Sequence, residues 1–113
     1  MPKFNLRQNH HVEQDADIST TGEIVRAEVP SDHVVSVNIE ATADASYAID
    51  VAAVDEPGAD DWFENEVVYD QADEADPQDI RDAFVLGDRH MRVRVTTAAA
   101  DGETATVTLQ GAK

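Results

Sequence analysis

The sequence predicts a single antiparallel β-sandwich of about seven to eight strands, Ig-like or jelly-roll-like, behind an irregular N-terminal arm. Three observations predict it. Apolar and polar residues alternate at a period of two in one segment after another, the spacing that puts side chains on one face of a strand. These segments recur about every ten residues, with Gly, Pro and Asp clusters between them. No stretch carries the 3.6-residue period of a long helix, and alternation with a polar outer side suits antiparallel sheets rather than buried parallel ones.

Each element follows from its residues. Residues 1–20 include Gln8-Asn9-His10-His11-Val12-Glu13-Gln14, which has little periodicity. They read as an arm that orders on a partner, or as an irregular first strand, with 21–113 as the sandwich. Over 23–29, Val25, Ala27 and Val29 fall on one side, and Pro30-Ser31-Asp32 turns the chain. Over 34–40, Val35, Val37 and Ile39 point inward against Ser36, Asn38 and Glu40. Over 46–54, Tyr47, Ile49, Val51 and Ala53 share one face and Asp50 stands on the other. The acidic loop 55–61 precedes Trp62-Phe63 and a shorter, less regular strand through 66–69. A second acidic loop, 71–79, is stopped by Pro77, and 80–86 reads as a strand or a short helical turn. Over 91–97, Met91, Val93 and Val95 alternate with Arg92, Arg94 and Thr96. Asp101-Gly102 is a hairpin turn pair. Over 104–110, Ala105, Val107 and Leu109 alternate with threonines.

The 113 residues suffice for one domain with one core. That core is built mainly of Val and Ala, with Trp62, Phe63, Tyr47, Tyr69, Phe4 and Phe84 as its few large pieces. Charge is the dominant feature of the composition: 24 acidic against 8 basic residues, net −16, with lysine only at positions 3 and 113. So many like charges repel one another at ordinary ionic strength. In molar salt the Debye length falls to about 3 Å and the repulsion is screened. The composition is therefore that of a protein working in or around an extreme halophile. It also opposes approach to phosphates, so nucleic acid is not an expected partner. No apolar run reaches the roughly 20 residues of a membrane helix, and residues 1–7 lack the apolar stretch of a secretory signal. The absence of cysteine excludes disulfides, thiol nucleophiles and thiolate metal sites.

The residues offer little chemistry. Acids crowd 55–61 and 70–82, but without the spacing of a calcium-binding EF-hand loop, and they read as a solvated surface. His10 and His11 are adjacent, so on an extended chain they point to opposite sides. His33 and His90 have no Ser or Asp partner in a recognisable pattern, and no serine sits in a glycine elbow. No catalytic, cofactor-binding or metal-binding residues are expected. Two features read as contacts. Arg89, Arg92 and Arg94 concentrate the scarce positive charge, either for an acidic neighbour or for cross-strand pairing within the domain. Trp62 and Phe63 either cap the core from a loop or anchor an interface.

The closing stretch, Met91-Arg92-Val93-Arg94-Val95-Thr96-Thr97 followed by Asp101-Gly102 and Thr104-Ala105-Thr106-Val107-Thr108-Leu109-Gln110, resembles the ends of small acidic β-sandwich proteins of tailed viruses that infect halophilic archaea. The resemblance implies a non-enzymatic virion protein: a capsid decoration or turret subunit, or a tail-associated component. Its partners would be copies of itself or another capsid or tail protein, and its location the virion. The competing reading is a cellular haloarchaeal module, cytoplasmic, that binds a sugar or a protein.

The charge leads to a direct expectation. The thermal midpoint should rise steadily from low salt to molar KCl. A midpoint indifferent to salt would contradict the halophilic reading of the surface.

Overall fold

The computed structural model describes residues 11–28, 34–71, 79–85 and 90–112. Eight strands run through them: β1 (His11–Asp17), β2 (Gly22–Glu28), β3 (Val34–Ala41), β4 (Ser46–Ala52), β5 (Phe63–Tyr69), β6 (Ile80–Val85), β7 (His90–Thr97) and β8 (Thr104–Ala112). They form two four-stranded antiparallel sheets, ordered β1-β8-β3-β6 and β2-β7-β4-β5. Within these, β1 pairs with β8, β2 with β7, β3 with β6 and β4 with β5. First strand meets last, second meets second-last, and so inward. The chain is one long antiparallel ribbon wrapped into two layers, and the β3–β8 and β4–β7 ladders join its turns. This is the jelly-roll order, so the β-sandwich is of the jelly-roll and not the Ig kind.

The strands stand where alternation places them, with three differences. Residues 11–17, read as part of an arm or of an irregular first strand, form β1 on the edge of the first sheet. Its alternation is broken because Asp15 takes a positive φ of 52° and the register with β8 shifts between Glu13 and Ala16. A bulge of this kind hides the period of two from the sequence. The fourth strand stops at Ala52, and Val54 beyond it is exposed. The segment starting at Ile80 is a strand and not a helical turn, because it pairs in regular register along β3 from Val34–Val85 to Ile39–Ile80.

The core lies between the sheets. Val35, Val37 and Ile39 of β3, with Val107 and Leu109 of β8, face Tyr47, Ile49 and Val51 of β4 and Val93 and Val95 of β7, all buried. Ile18 closes one end after β1. Its amide donates to the Glu103 carbonyl at 3.3 Å, and its carbonyl accepts from the Ala99 amide at 2.9 Å. At the side where β5 and β6 leave the sandwich open, the Tyr69 hydroxyl donates to Asp82 Oδ2 at 2.8 Å and bridges the sheets. Burial and the Asp82 carboxylate together push the Tyr69 phenol pKa up. Tyr47 is buried deeper, and burial with the nearby Asp44 charge pushes its phenol up to about 12. Of the other expected large core pieces, Trp62 is buried and Phe84 partly so, while Phe63 is 64% exposed. The Phe63 reading fails because Phe63 opens β5, an edge strand with a neighbour on one side only, and its ring is left exposed there. Phe4, Val29 and Leu86 lie outside the described residues.

Ile39 and Leu109 are at most 2% exposed and touch across the β3–β8 layer and the facing sheet. Truncating either to Ala should lower unfolding stability in molar salt by about 2–5 kcal/mol, measured by denaturant titration.

Candidate functional site

The two sheets present outer faces of opposite chemistry. On the β2-β7-β4-β5 sheet, cross-strand register sets Arg26, Arg92 and Asp50 in one row, and Glu23 and Arg94 in the next. Asp50 points away from the core, yet it is fully buried. The 53–62 connection folds back over this face and the arginines close over the carboxylate, so every residue of β4 is buried.

The Asp50 carboxylate accepts four hydrogen bonds. Arg92 Nε at 2.7 Å and Arg94 Nε at 2.8 Å reach Oδ2; the Asn65 amide at 2.9 Å and Arg94 Nη2 at 3.2 Å reach Oδ1. That fills its acceptor capacity. Burial by itself would raise the Asp50 pKa; the bonds from Arg94, the Asn65 amide and Arg92 outweigh it and hold the carboxyl below the usual range. Asn65 reaches back because it sits at φ 65°, a left-handed conformation that Asn tolerates better than most residues. Its side-chain oxygen also accepts from Arg94 Nη2 at 2.9 Å. Glu64 lies 3.5 Å from Arg92 and 3.7 Å from Arg94, and Glu23 is 2.7 Å from Arg26 and 3.6 Å from Arg92. Trp62 covers the group, with the Arg92 and Arg26 guanidinium carbons 4.6 and 5.4 Å from its ring centre. Three arginines and three acids thus form a charge-balanced island under an indole.

This island is a lock and not a reactive centre. A general base needs a pKa near the working pH and a free lone pair; Asp50 is shifted the other way and saturated. Arg92 and Arg94, read from the sequence as contacts or as internal pairs, are here paired internally, with side chains 14% and 20% exposed. Arg89 lies outside the described residues. Trp62 and Phe63 part company: the indole caps the outer face of the sheet and the phenyl ring stands in solvent. Sequence reasoning did not single out Asp50 as the acid beneath the arginines. The signal was a lone acid amid the apolar and small residues of 46–52, with two arginines spaced to share one strand face.

The outer face of the β1-β8-β3-β6 sheet was missed as a feature altogether. One row across it is Val12, Thr108, Asn38 and Arg81, and the next is Gln110, Ser36 and Ala83. Val34 and Val85 pair at its end, 39% and 65% exposed. Among the described residues, acids on this face gather at the opposite end, where Asp15, Asp17 and Glu40 stand near Thr104 and Thr106. Glu40 there lies 3.8 Å from Arg81. The sequence signal was present: residues 104–112 hold no charged side chain in a chain that is 28% charged.

Other candidates hold less. Among the described residues no three His, Asp or Glu side chains converge on a metal position. His11 lies 3.7 Å from Glu13, and His90 Nε2 lies 3.3 Å from Asp55. His10, His33, Asp73, Glu74 and Asp76 fall outside the described residues. A depression of about 270 Å³ at the β1–β2 connection is lined by Glu13, Asp17, Thr20 and Thr21, smaller than the usual ligand pocket. Asp17 is already engaged, accepting from the Ser19 amide at 2.8 Å. No protein-family model matches the chain, and no curated protein or solved structure is significantly similar to it.

Replacing Asp50 by Ala leaves two arginines over an apolar sheet without their carboxylate and should cost about 3–5 kcal/mol. Combining Asp50→Leu with Arg92→Met and Arg94→Leu should recover most of that loss. The sign with pH follows from the lowered pKa. The gap between wild type and Asp50→Ala should be full above the ordinary Asp value of about 3.9 and shrink only as pH falls below it. Denaturant titrations of the variants across pH check both statements.

Proposed function

We propose that this protein is a non-enzymatic structural subunit of the virion of a tailed virus that infects halophilic archaea, a capsid decoration or turret component or a piece associated with the tail. The observation that carries the reading is the jelly-roll strand order in a chain of net charge −16. Jelly rolls recur in capsid domains, and the support is one of architecture. The resemblance of the C-terminal stretch points the same way. Exposed apolar side chains at the strand margins, Val12, Val34 and Val85 among them, suit a protein that works by contact with other proteins. The Asp50 island makes the scaffold rigid and offers no free reactive group.

The test is location. A tagged chain expressed in infected halophilic cells should sediment with purified particles in molar salt and appear as a stoichiometric band. Recovery only as free protein in the cytoplasm, with none on particles, would overturn the virion reading in favour of the cellular one.

A further inference from the structure

We propose that the outer face of the β1-β8-β3-β6 sheet is the surface through which one copy of this chain packs on a second copy, sheet against sheet about a two-fold axis. The inference rests on the reading of the protein as an assembly subunit and names the surface and the partner.

The argument is one of charge. Each copy carries −16, so contact through most of its surface sets acid against acid. The half of this face around Val12, Thr108, Ser36 and Gln110 has no acid among its described residues, and its single cation, Arg81, lies 3.8 Å from Glu40. Two copies can meet there without like-charge repulsion. The opposite face does not serve, because its arginines are engaged by Asp50 and Trp62 lies over them.

The contact has driving force of its own. Val12, Val34 and Val85 are 38%, 39% and 65% exposed, and all lie on this side of the sheet. Burying them is favourable at any ionic strength and is strengthened by salts excluded from protein surfaces. The Thr, Ser, Asn and Gln side chains between them are uncharged and can hydrogen-bond across an interface at little desolvation cost compared with carboxylates. Sheets pack face to face about 10 Å apart with strands within about 30° of alignment, which a four-stranded face permits. A closed two-fold contact uses the same patch on both copies, so a neutral patch is complementary to itself. Four strands at about 4.8 Å and about six residues at about 3.4 Å give a face roughly 20 Å on each side. That is about 800 Å² over the two copies, below the roughly 1,200 Å² of the smaller stable interfaces and in the range of weak contacts that gain strength where many copies act together.

The experiment is sedimentation velocity on the full chain in molar KCl over a range of concentrations. It compares wild type with Ser36→Glu/Gln110→Glu, with Thr108→Glu alone, and with Val68→Glu on the other sheet. Circular dichroism confirms that each is folded, and the single Thr108→Glu variant serves if the double one does not fold. Wild type and Val68→Glu should dimerise, and the variants of the neutral face should associate at least tenfold more weakly. Equal association of all four overturns this face as the contact while leaving the assembly reading intact. A wild type that stays monomeric at every concentration, yet still sediments with particles, overturns the second copy as occupant and again spares that reading. Wild type is also run without residues 1–10: a dimer that forms only in that shortened chain would assign this face to the chain's own N-terminal segment and would also overturn the proposal.

Discussion

One buried carboxylate governs half of this sandwich. Asp50 stands on the outer side of β4 and would be solvated in an ordinary antiparallel sheet, yet it receives four hydrogen bonds from β7 and β5. Taking a carboxylate out of water costs several kcal/mol, and an unpaired one would not survive there. The pairing therefore constrains everything near it. It holds Arg92 and Arg94 flat on the sheet, draws Asn65 into a left-handed conformation, and so sets the bulge of β5. It also marks register: a one-residue slip of β4 on β7 would turn Asp50 into the core and Tyr47, Ile49 and Val51 out of it. Buried pairs are screened by salt far less than surface ones. The island therefore responds to salt far less than the acidic exterior does.

The wrapped ribbon sets the remaining constraints. Pairing first strand with last leaves β1 and β6 at the edges of one sheet and β2 and β5 at the edges of the other. Edges invite unwanted pairing, and three of the four edge strands, β1, β2 and β5, carry register shifts, with Asp15 of β1 and Asn65 of β5 at positive φ. Glu64 and Glu66 add charge along β5. The Tyr69–Asp82 bond then ties the β5 and β6 margins together across the layers. The edges are blunted by irregularity and charge, and the neutral surface is kept on a face.

The two outer faces divide the work. One is neutralised from within, with three arginines answering three acids beneath an indole, and it stiffens the scaffold. The other has few ionic groups among its described residues and leaves valines exposed. That division fits the proposed assembly subunit, which would need a firm body, a solvated acidic periphery and one place where a neighbour can approach.

The fold class and the core were legible in the sequence, because each depends on local properties. Alternation at period two needs only neighbouring residues, so Val35, Val37, Ile39, Val93, Val95, Val107 and Leu109 could be assigned inward from the string alone. Net charge needs only counting. The strand order and the two faces were not legible, and 11–17 could be read only as either an arm or an irregular first strand. Asp50, Asn65, Arg92 and Arg94 lie up to 44 residues apart, and nothing local states that they share one carboxylate. The exposure of Phe63 followed from the place of β5 at a sheet edge. Whether an outward Asp faces water or lies beneath two arginines is decided by which strands become neighbours, because burial and pairing are properties of three-dimensional proximity.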